Sequence, residues 1–225
     1  MKGRADYSLL MRNAFHDELD SIGTSLLQMA GLARVAMSEA TTALLTVDLG
    51  LAEKVIAADD VIDEIQHDLD ARTINLMARQ QPVASDLRTL VSSLRMSADL
   101  ERMGDLAHHV AKQARMRYPN SAVPAELVPT ITAMGLVADK LVDKLSSVME
   151  HRDAARALEL ETDDDEMDKL HRELIAILLS DNWPHGIETA IDMTLLGRFY
   201  ERFADHAVSI SRRVYFLVTG EFSSN

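Results

Sequence analysis

Four pairs of carboxylates recur along the chain at i,i+4 spacing: Asp59/Asp63, Glu101/Asp105, Asp164/Asp168 and Glu201/Asp205. On a helix that spacing stacks two side chains on one face, a turn apart. Like charges so placed repel by roughly 0.2–0.5 kcal/mol when exposed. Burial without a partner makes the repulsion far worse or forces a proton onto one of them. A hard cation with oxygen ligands relieves it, and Fe, Zn, Mn or Mg all suit a carboxylate set. Any one pair taken alone reads first as a solvated helix face, with Arg102 and Arg202 as ordinary salt-bridge neighbours.

The apolar residues around the pairs argue for more than a solvated face. Val55, Ile62, Ile65 and Leu69 form a stripe beside Asp59 and Asp63. Leu160, Met167, Leu170 and Leu174 form its counterpart beside Asp164 and Asp168. Leu87, Val91, Leu94 and Ala98 recur at helical steps, and Glu101 and Asp105 continue that seam. Helix six is less clean, with Thr194 and Arg198 preceding Glu201. Carboxylates bordering core seams need compensation, which is what metal would provide.

Histidines add little at this level. Glu64/His67 is an E-x-x-H pair, the helical ligand pair of di-iron bundles, but the second half offers Asp168/His171, one residue out of register. His108 and His109 follow Asp105, whereas the matching Val208 and Ser209 cannot ligate as imidazoles do; His206 matches Leu106. The chain has no phosphate-binding glycine loop, no nucleophile elbow and no Cys. Disulfides, thiolate zinc sites and cysteine nucleophiles are therefore excluded. Met96 and Met103 read as core filler, and Trp183 beside Pro184 as the anchor of a connection.

The elements that must position the carboxylates are helices. In 225 residues Gly and Pro total 14, aromatics are 4% and hydrophobic residues 47%, which favours a folded all-α chain. Breaks at Pro82, Pro184 and the cluster Pro119, Pro124 and Pro129, with helix starts at Asp48 and Asp153 and a terminal cap at Gly220, predict six long helices. They fall near 10–47, 49–80, 84–117, 126–151, 154–180 and 186–218, with the first ten residues a loose extension.

An internal repeat organises them. At an offset of 105, Met29 matches Met134, Ala33 matches Ala138, Asp48 matches Asp153, and Asp59, Asp60 and Asp63 match Asp164, Asp165 and Asp168. Beyond Pro82 and Pro184 the offset becomes 100, aligning Glu101-Arg102 with Glu201-Arg202 and Asp105 with Asp205. The chain thus reads as two tandem three-helix units, 11–120 and 121–220. All four acidic pairs fall in repeat register, which makes metal binding the better reading.

Net charge is −13, from 36 acidic and 23 basic residues. That balance argues against nucleic acid and suits cations or basic surfaces. No apolar run reaches the roughly 20 residues of a spanning helix, no signal-peptide pattern opens the chain, and no strongly basic amphipathic stretch appears. The expectation is a soluble cytoplasmic protein that meets membranes only through partners.

The run Gln81-Pro82-Val83-Ala84-Ser85-Asp86-Leu87-Arg88, followed by Asp99-Leu100-Glu101-Arg102-Met103-Gly104-Asp105, resembles the PhoU family of phosphate-transport regulators. Gly197-Arg198-Phe199-Tyr200-Glu201-Arg202-Phe203-Ala204-Asp205-His206-Ala207 is similar to the repeated family motif in its actinobacterial form. The resemblance implies two three-helix bundles, a homodimer, and multinuclear metal clusters held by the E(D)-x-x-x-D motifs. Those motifs fall on the eight acids above, with Asp60 and Asp165 as extra ligands. Gly104 and Met103 give way to Ala204 and Phe203, which implies a differently shaped second site. The implied role is negative control of the phosphate regulon, through the ATPase subunit of the phosphate ABC transporter and a sensor histidine kinase of the phosphate two-component system.

The leading expectation is therefore a PhoU-like regulator, not an enzyme. A carboxylate-bridged helical metalloenzyme is the alternative, and it needs an open coordination position with in-register histidines. A metal-free helical scaffold with solvated acids is the third.

Overall fold

The computed structural model describes the backbone of residues 2–222 and the side chains from Phe15 to Phe222. Six long helices account for nearly all of it: α1 (Lys2–Thr46), α2 (Leu49–Gln80), α3 (Ser85–Arg117), α4 (Val128–His151), α5 (Ala154–Leu178) and α6 (Gly186–Thr219). A 3-10 turn, Ala125–Leu127, precedes α4, and no strand occurs among the described residues. The expected loose extension is instead part of α1, which runs from Lys2 with no proline to interrupt it. Pro129 does not break a helix. It lies in the first turn of α4, where a missing N–H leaves no intrahelical bond unmade. Helix α5 stops two residues before the expected end.

The repeat is visible in the turns. Val47 and Arg152 both adopt left-handed backbone, with φ of 57° and 51°. Each is followed by an aspartate that caps the next helix. Asp48 accepts from the Leu51 amide at 2.9 Å, and Asp153 accepts from the Ala155 and Arg156 amides at 3.1 Å. Gly220 closes α6 at φ 80°, its amide donating to the Phe216 carbonyl at 2.9 Å.

Four helices form the centre. On α1 the residues Ile22, Leu26, Met29, Ala33, Met37, Ala40 and Leu44 step by three and four and are all buried. On α4 the same stepping buries Ile131, Met134, Ala138, Leu141, Leu145 and Val148. The two stripes meet antiparallel. Arg34 grips Asp139, its own equivalent in the repeat, through Nε–Oδ1 at 2.6 Å and Nη2–Oδ2 at 2.9 Å. Helices α3 and α6 also run antiparallel: Asp99 meets His206, while Arg117 meets Asp192. The halves are thus related by a pseudo-twofold axis between α1 and α4 and between α3 and α6. Helix α2 packs outside on α1 and α3, and α5 packs outside on α4 and α6. One continuous cluster of buried side chains, from Phe15 to Val214, spans both repeats.

One expected seam is corrected. Leu87 and Val91 are 42% and 38% exposed, and Ala98 is exposed as well. The buried face of α3 is instead Leu90, Met96, Leu100, Met103 and Ala107. Helix α3 touches α1, α2 and α6 at once, so it carries apolar residues on more than one face. Periodicity alone cannot tell which of these a neighbour covers.

Candidate functional site

The outer helices bring each set of four acids to one place. Asp59 and Asp63 on α2 face Glu101 and Asp105 on α3; Asp164 and Asp168 on α5 face Glu201 and Asp205 on α6. Stripe residues beside them hold the register. Val55, Ile62 and Leu69 of α2 are buried, as are Leu160, Met167 and Leu174 of α5.

Glycines let the helices close up. A Cβ on Gly104 would lie 2.9 Å from Ile62 Cδ1 and 3.4 Å from Asp59 Oδ1. Its repeat equivalent is Ala204, and in the second half Gly197 makes the close approach instead. A Cβ there would lie 2.7 Å from Leu174 Cδ2 and 3.2 Å from His171 Cδ2. The second site is therefore built by a glycine two turns earlier on α6, in line with a differently shaped pair of sites.

The electrostatics are those of crowded carboxylates. Burial pushes the Asp63 carboxyl up, Asp59 and Asp105 push it further, and His67 opposes them. Glu101 is raised by burial and by Asp105, against the pull of Arg102. Burial together with Asp168, Asp205 and Glu201 raises Asp164 to about 7. Glu201 is raised by burial and Asp205, against Arg198 and His171. Its Oε2 is buried with no hydrogen-bond partner. An orphaned carboxylate oxygen among other carboxylates is a donor set that a hard cation would satisfy.

The side chains are not preset as a closed cage. Among the described residues, no group of three or more His, Asp or Glu side chains has the arrangement to hold a metal ion as it stands. Arginines draw several of the acids aside. Arg102 engages Asp105 and lies 3.3 Å from Glu101, and Arg198 engages Glu201. The expected partner Arg202 makes no such bridge; Arg198, one turn earlier, takes its place. The chemistry and proximity of the eight acids fit a metal, and rotamer changes would have to complete the coordination. Asp60 and Asp165 are exposed at the margins.

Sequence reasoning set aside a histidine that the structure brings in. His108 Nδ1 contacts the Asp59 carboxylate, and its Nε2 is buried without a partner. The signal was its spacing: Glu101, Asp105 and His108 lie at i, i+4 and i+7 on one face. Demanding an identical residue in the other repeat concealed it. His171, on α5 beside Gly197, acts on Glu201 in the second half. Glu64 and His67 are both exposed.

Between the two sites, α3 and α6 are tied by a polar cluster. Asp99 accepts from His206 at 3.0 Å and from the Ser209 hydroxyl at 2.9 Å, with Arg213 at 3.4 Å. Burial pushes the Asp99 carboxyl up, but these hydrogen bonds and cationic neighbours outweigh it and hold it below its ordinary range. His109 stacks on Phe199 with ring centroids 5.2 Å apart. At the far end of α5, the Trp183 indole N–H donates to the Gly186 carbonyl at 2.9 Å and anchors the connection to α6.

The PhoU domain profile matches residues 26–114 and 131–214, one copy in each half. A Mycobacterium tuberculosis protein, "Phosphate-specific transport system accessory protein PhoU homolog 2", is 46% identical over 94% of this chain and 100% of its own length. The Mycobacterium leprae PhoU homolog 1 is 46% identical over 94% of this chain and 96% of its own. Among solved structures, PhoU from Pseudomonas aeruginosa superposes with a TM-score of 0.81 at 31% identity, covering 92% of this chain and 100% of that one. The phosphate transport system regulatory protein PhoU from Streptococcus pneumoniae gives 0.83 at 28% identity, covering 94% and 100%.

Proposed function

The chain belongs to the PhoU family, and from that membership we propose that it is a non-enzymatic regulator of phosphate uptake that binds metal ions at its two sets of four acids. Asp59, Asp63, Glu101 and Asp105 would hold metal in the first half, and Asp164, Asp168, Glu201 and Asp205 in the second. Bound divalent or trivalent ions would supply positive charge that cancels the carboxylate repulsion across α2–α3 and α5–α6. The observation that carries this reading is the clustering of mutually repelling carboxylates, all but the exposed Asp205 partly buried, at repeat-equivalent places, with Glu201 Oε2 left unpartnered.

As an adaptor, the protein would present the surface stiffened by those sites to the transporter's ATPase subunit and to a sensor histidine kinase. It would exert negative control of the phosphate regulon in the cytoplasm, as a homodimer. Relatives named as accessory and regulatory proteins of phosphate transport support the role. No helix among the described residues is long and apolar enough to cross a membrane, which fits contact with the membrane through partners.

The test is elemental analysis of protein purified without a metal-affinity tag, beside the E101A/D105A/E201A/D205A variant. Stoichiometric metal in the parent and its loss in the variant are expected. Co-purification of the transporter ATPase subunit with the parent then tests the adaptor role. Metal-free parent protein, or equal metal in both, would overturn the metal reading.

A further inference from the structure

The apolar stripe of α3 that the core leaves uncovered has another use. Leu87 and Val91 line a cavity of about 720 Å³ between the first half of α3 and the last half of α6, with Val208 and Phe216 from α6. That volume lies in the range of small-molecule sites, roughly 300–1,000 Å³. Four arginines line the same cavity: Arg88 and Arg95 on α3, Arg212 and Arg213 on α6. Arg212 engages Glu161 and Arg213 reaches Asp99. Arg88 and Arg95 have no carboxylate within ion-pair distance among the described residues, in a chain of net charge −13 with 36 acids.

An aromatic platform completes the groove. The Phe216 and Phe222 rings stack with centroids 4.3 Å apart and planes 11° from parallel. The Arg88 guanidinium lies 5.3 Å from the Phe216 centroid and donates to the Phe216 carbonyl at 3.3 Å. Phe222 is 75% exposed, so one ring face is open to a further planar group.

The repeat supplies a control within the chain. At the offset of 100, Arg88 and Arg95 correspond to Glu188 and Leu195, and Arg212 and Arg213 to Lys112 and Gln113. Phe216 corresponds to Met116. In that half Arg117 bonds Glu188 and Asp192 at 2.5 and 2.6 Å. The fold therefore stands with or without four arginines and a ring pair at this place, and only one half has them.

We propose that this groove binds a nucleoside polyphosphate, with the phosphates on the arginines and the base against the Phe216–Phe222 pair. Guanidinium groups match phosphate oxygens bidentately, and aromatic faces accept any base by stacking. Arg88 lies at the aromatic end, against Phe216, and Arg95 stands two turns further along α3. Over the seven residues from Arg88 to Arg95 the helix rises roughly 10 Å, which suits an extended phosphate chain with its sugar. Asp164 and Asp205 close one end of the cavity. Both belong to the second set of acids, and a cation held there would face the phosphates instead of two bare carboxylates.

The experiment is fluorescence anisotropy of an N-methylanthraniloyl-labelled ATP at fixed Mg²⁺ with the full chain. ATP, pyrophosphate and adenosine serve as unlabelled competitors. Saturable binding that ATP reverses is expected, with R88Q/R95Q weaker by about tenfold or more and F222A weaker as well. K112A, at the repeat equivalent of Arg212, should bind like the parent. Matching circular dichroism and melting temperature will show that the surface variants are folded. Absence of saturable binding overturns the proposal, as does equal binding by R88Q/R95Q. Competition by pyrophosphate as strong as by ATP overturns the nucleotide assignment. So does saturable binding of an acidic amphipathic peptide without any of the nucleotide, which would give the groove to a protein partner.

Discussion

The hydroxyls of Thr41 on α1 and Tyr200 on α6 meet at 2.7 Å within the core. Thr41 donates its own proton to the Met37 carbonyl, also at 2.7 Å, so the Tyr200 hydroxyl is the donor between them. Tyr200 has no solvent exposure, and burial pushes its phenol far above its ordinary range. A polar link thus crosses from the first repeat to the second at a place no water reaches. It belongs to the continuous core around α1, α3, α4 and α6.

Tyr200→Phe should destabilise the chain by about 0.5–1.5 kcal/mol, the net worth of one buried hydrogen bond. Urea unfolding of parent and variant measures the difference. Because the core is shared, both proteins should unfold in one transition; two resolved transitions would show that the repeats are independent.

Asp164 should make stability fall as the solution becomes less acidic. Its native carboxyl titrates at about 7, against an ordinary value of 3.8. Between these values the folded chain holds a proton that the unfolded chain has released. Protonation therefore favours folding below about pH 4, and that advantage is lost as pH rises toward 7. With solvent screening of a half-buried group, the effect should be about 1–3 kcal/mol. Asp164→Asn, unfolded in urea with chelator present, should gain that amount at pH 8 and differ little at pH 4. A variant no more stable than the parent at pH 8 would rule this out.

Divalent cations should raise the melting temperature, and more strongly at pH 8 than at pH 6. Asp63, Glu101, Asp164 and Glu201 are all raised, so cations must compete with protons for them. Calorimetric titration in two buffers of different ionisation heat should report proton release on binding. Glu201→Gln should reduce the thermal shift, because the unpartnered Oε2 is the oxygen most in need of a cation.

Gly197 and Gly31 should respond oppositely to a larger side chain. A Cβ on Gly197 would already crowd Leu174 and His171, so Gly197→Leu must push α6 from α5 and cost about 1–3 kcal/mol. It should also weaken the cation-induced stabilisation, since the second set of acids spans that contact. Nothing lies within 4 Å of a Cβ on Gly31, an exposed position inside α1. Gly31→Ala should stabilise by about 0.5–1 kcal/mol through helix propensity. Thermal denaturation of the two variants checks both signs.

Much of this molecule was legible from local pattern. Helix caps at Asp48 and Asp153 act through amides two or three residues away, so their chemistry is written within a few positions. The i,i+4 acids share a face because of helical geometry alone. The repeat follows from comparing the chain with itself, and it places the two sets of acids at equivalent stations. Those features depend on separations of a turn or two.

What tertiary structure decided is which faces meet. Leu87 and Val91 look like core by spacing, yet they line a groove beside α6, because α1 packs on the other side of α3 there. His108 reaches Asp59 only once α2 is packed against Gly104, a contact between residues 49 positions apart. Periodicity specifies an angle around one helix, whereas contact needs the relative rotation and distance of two. Only the packed core sets those.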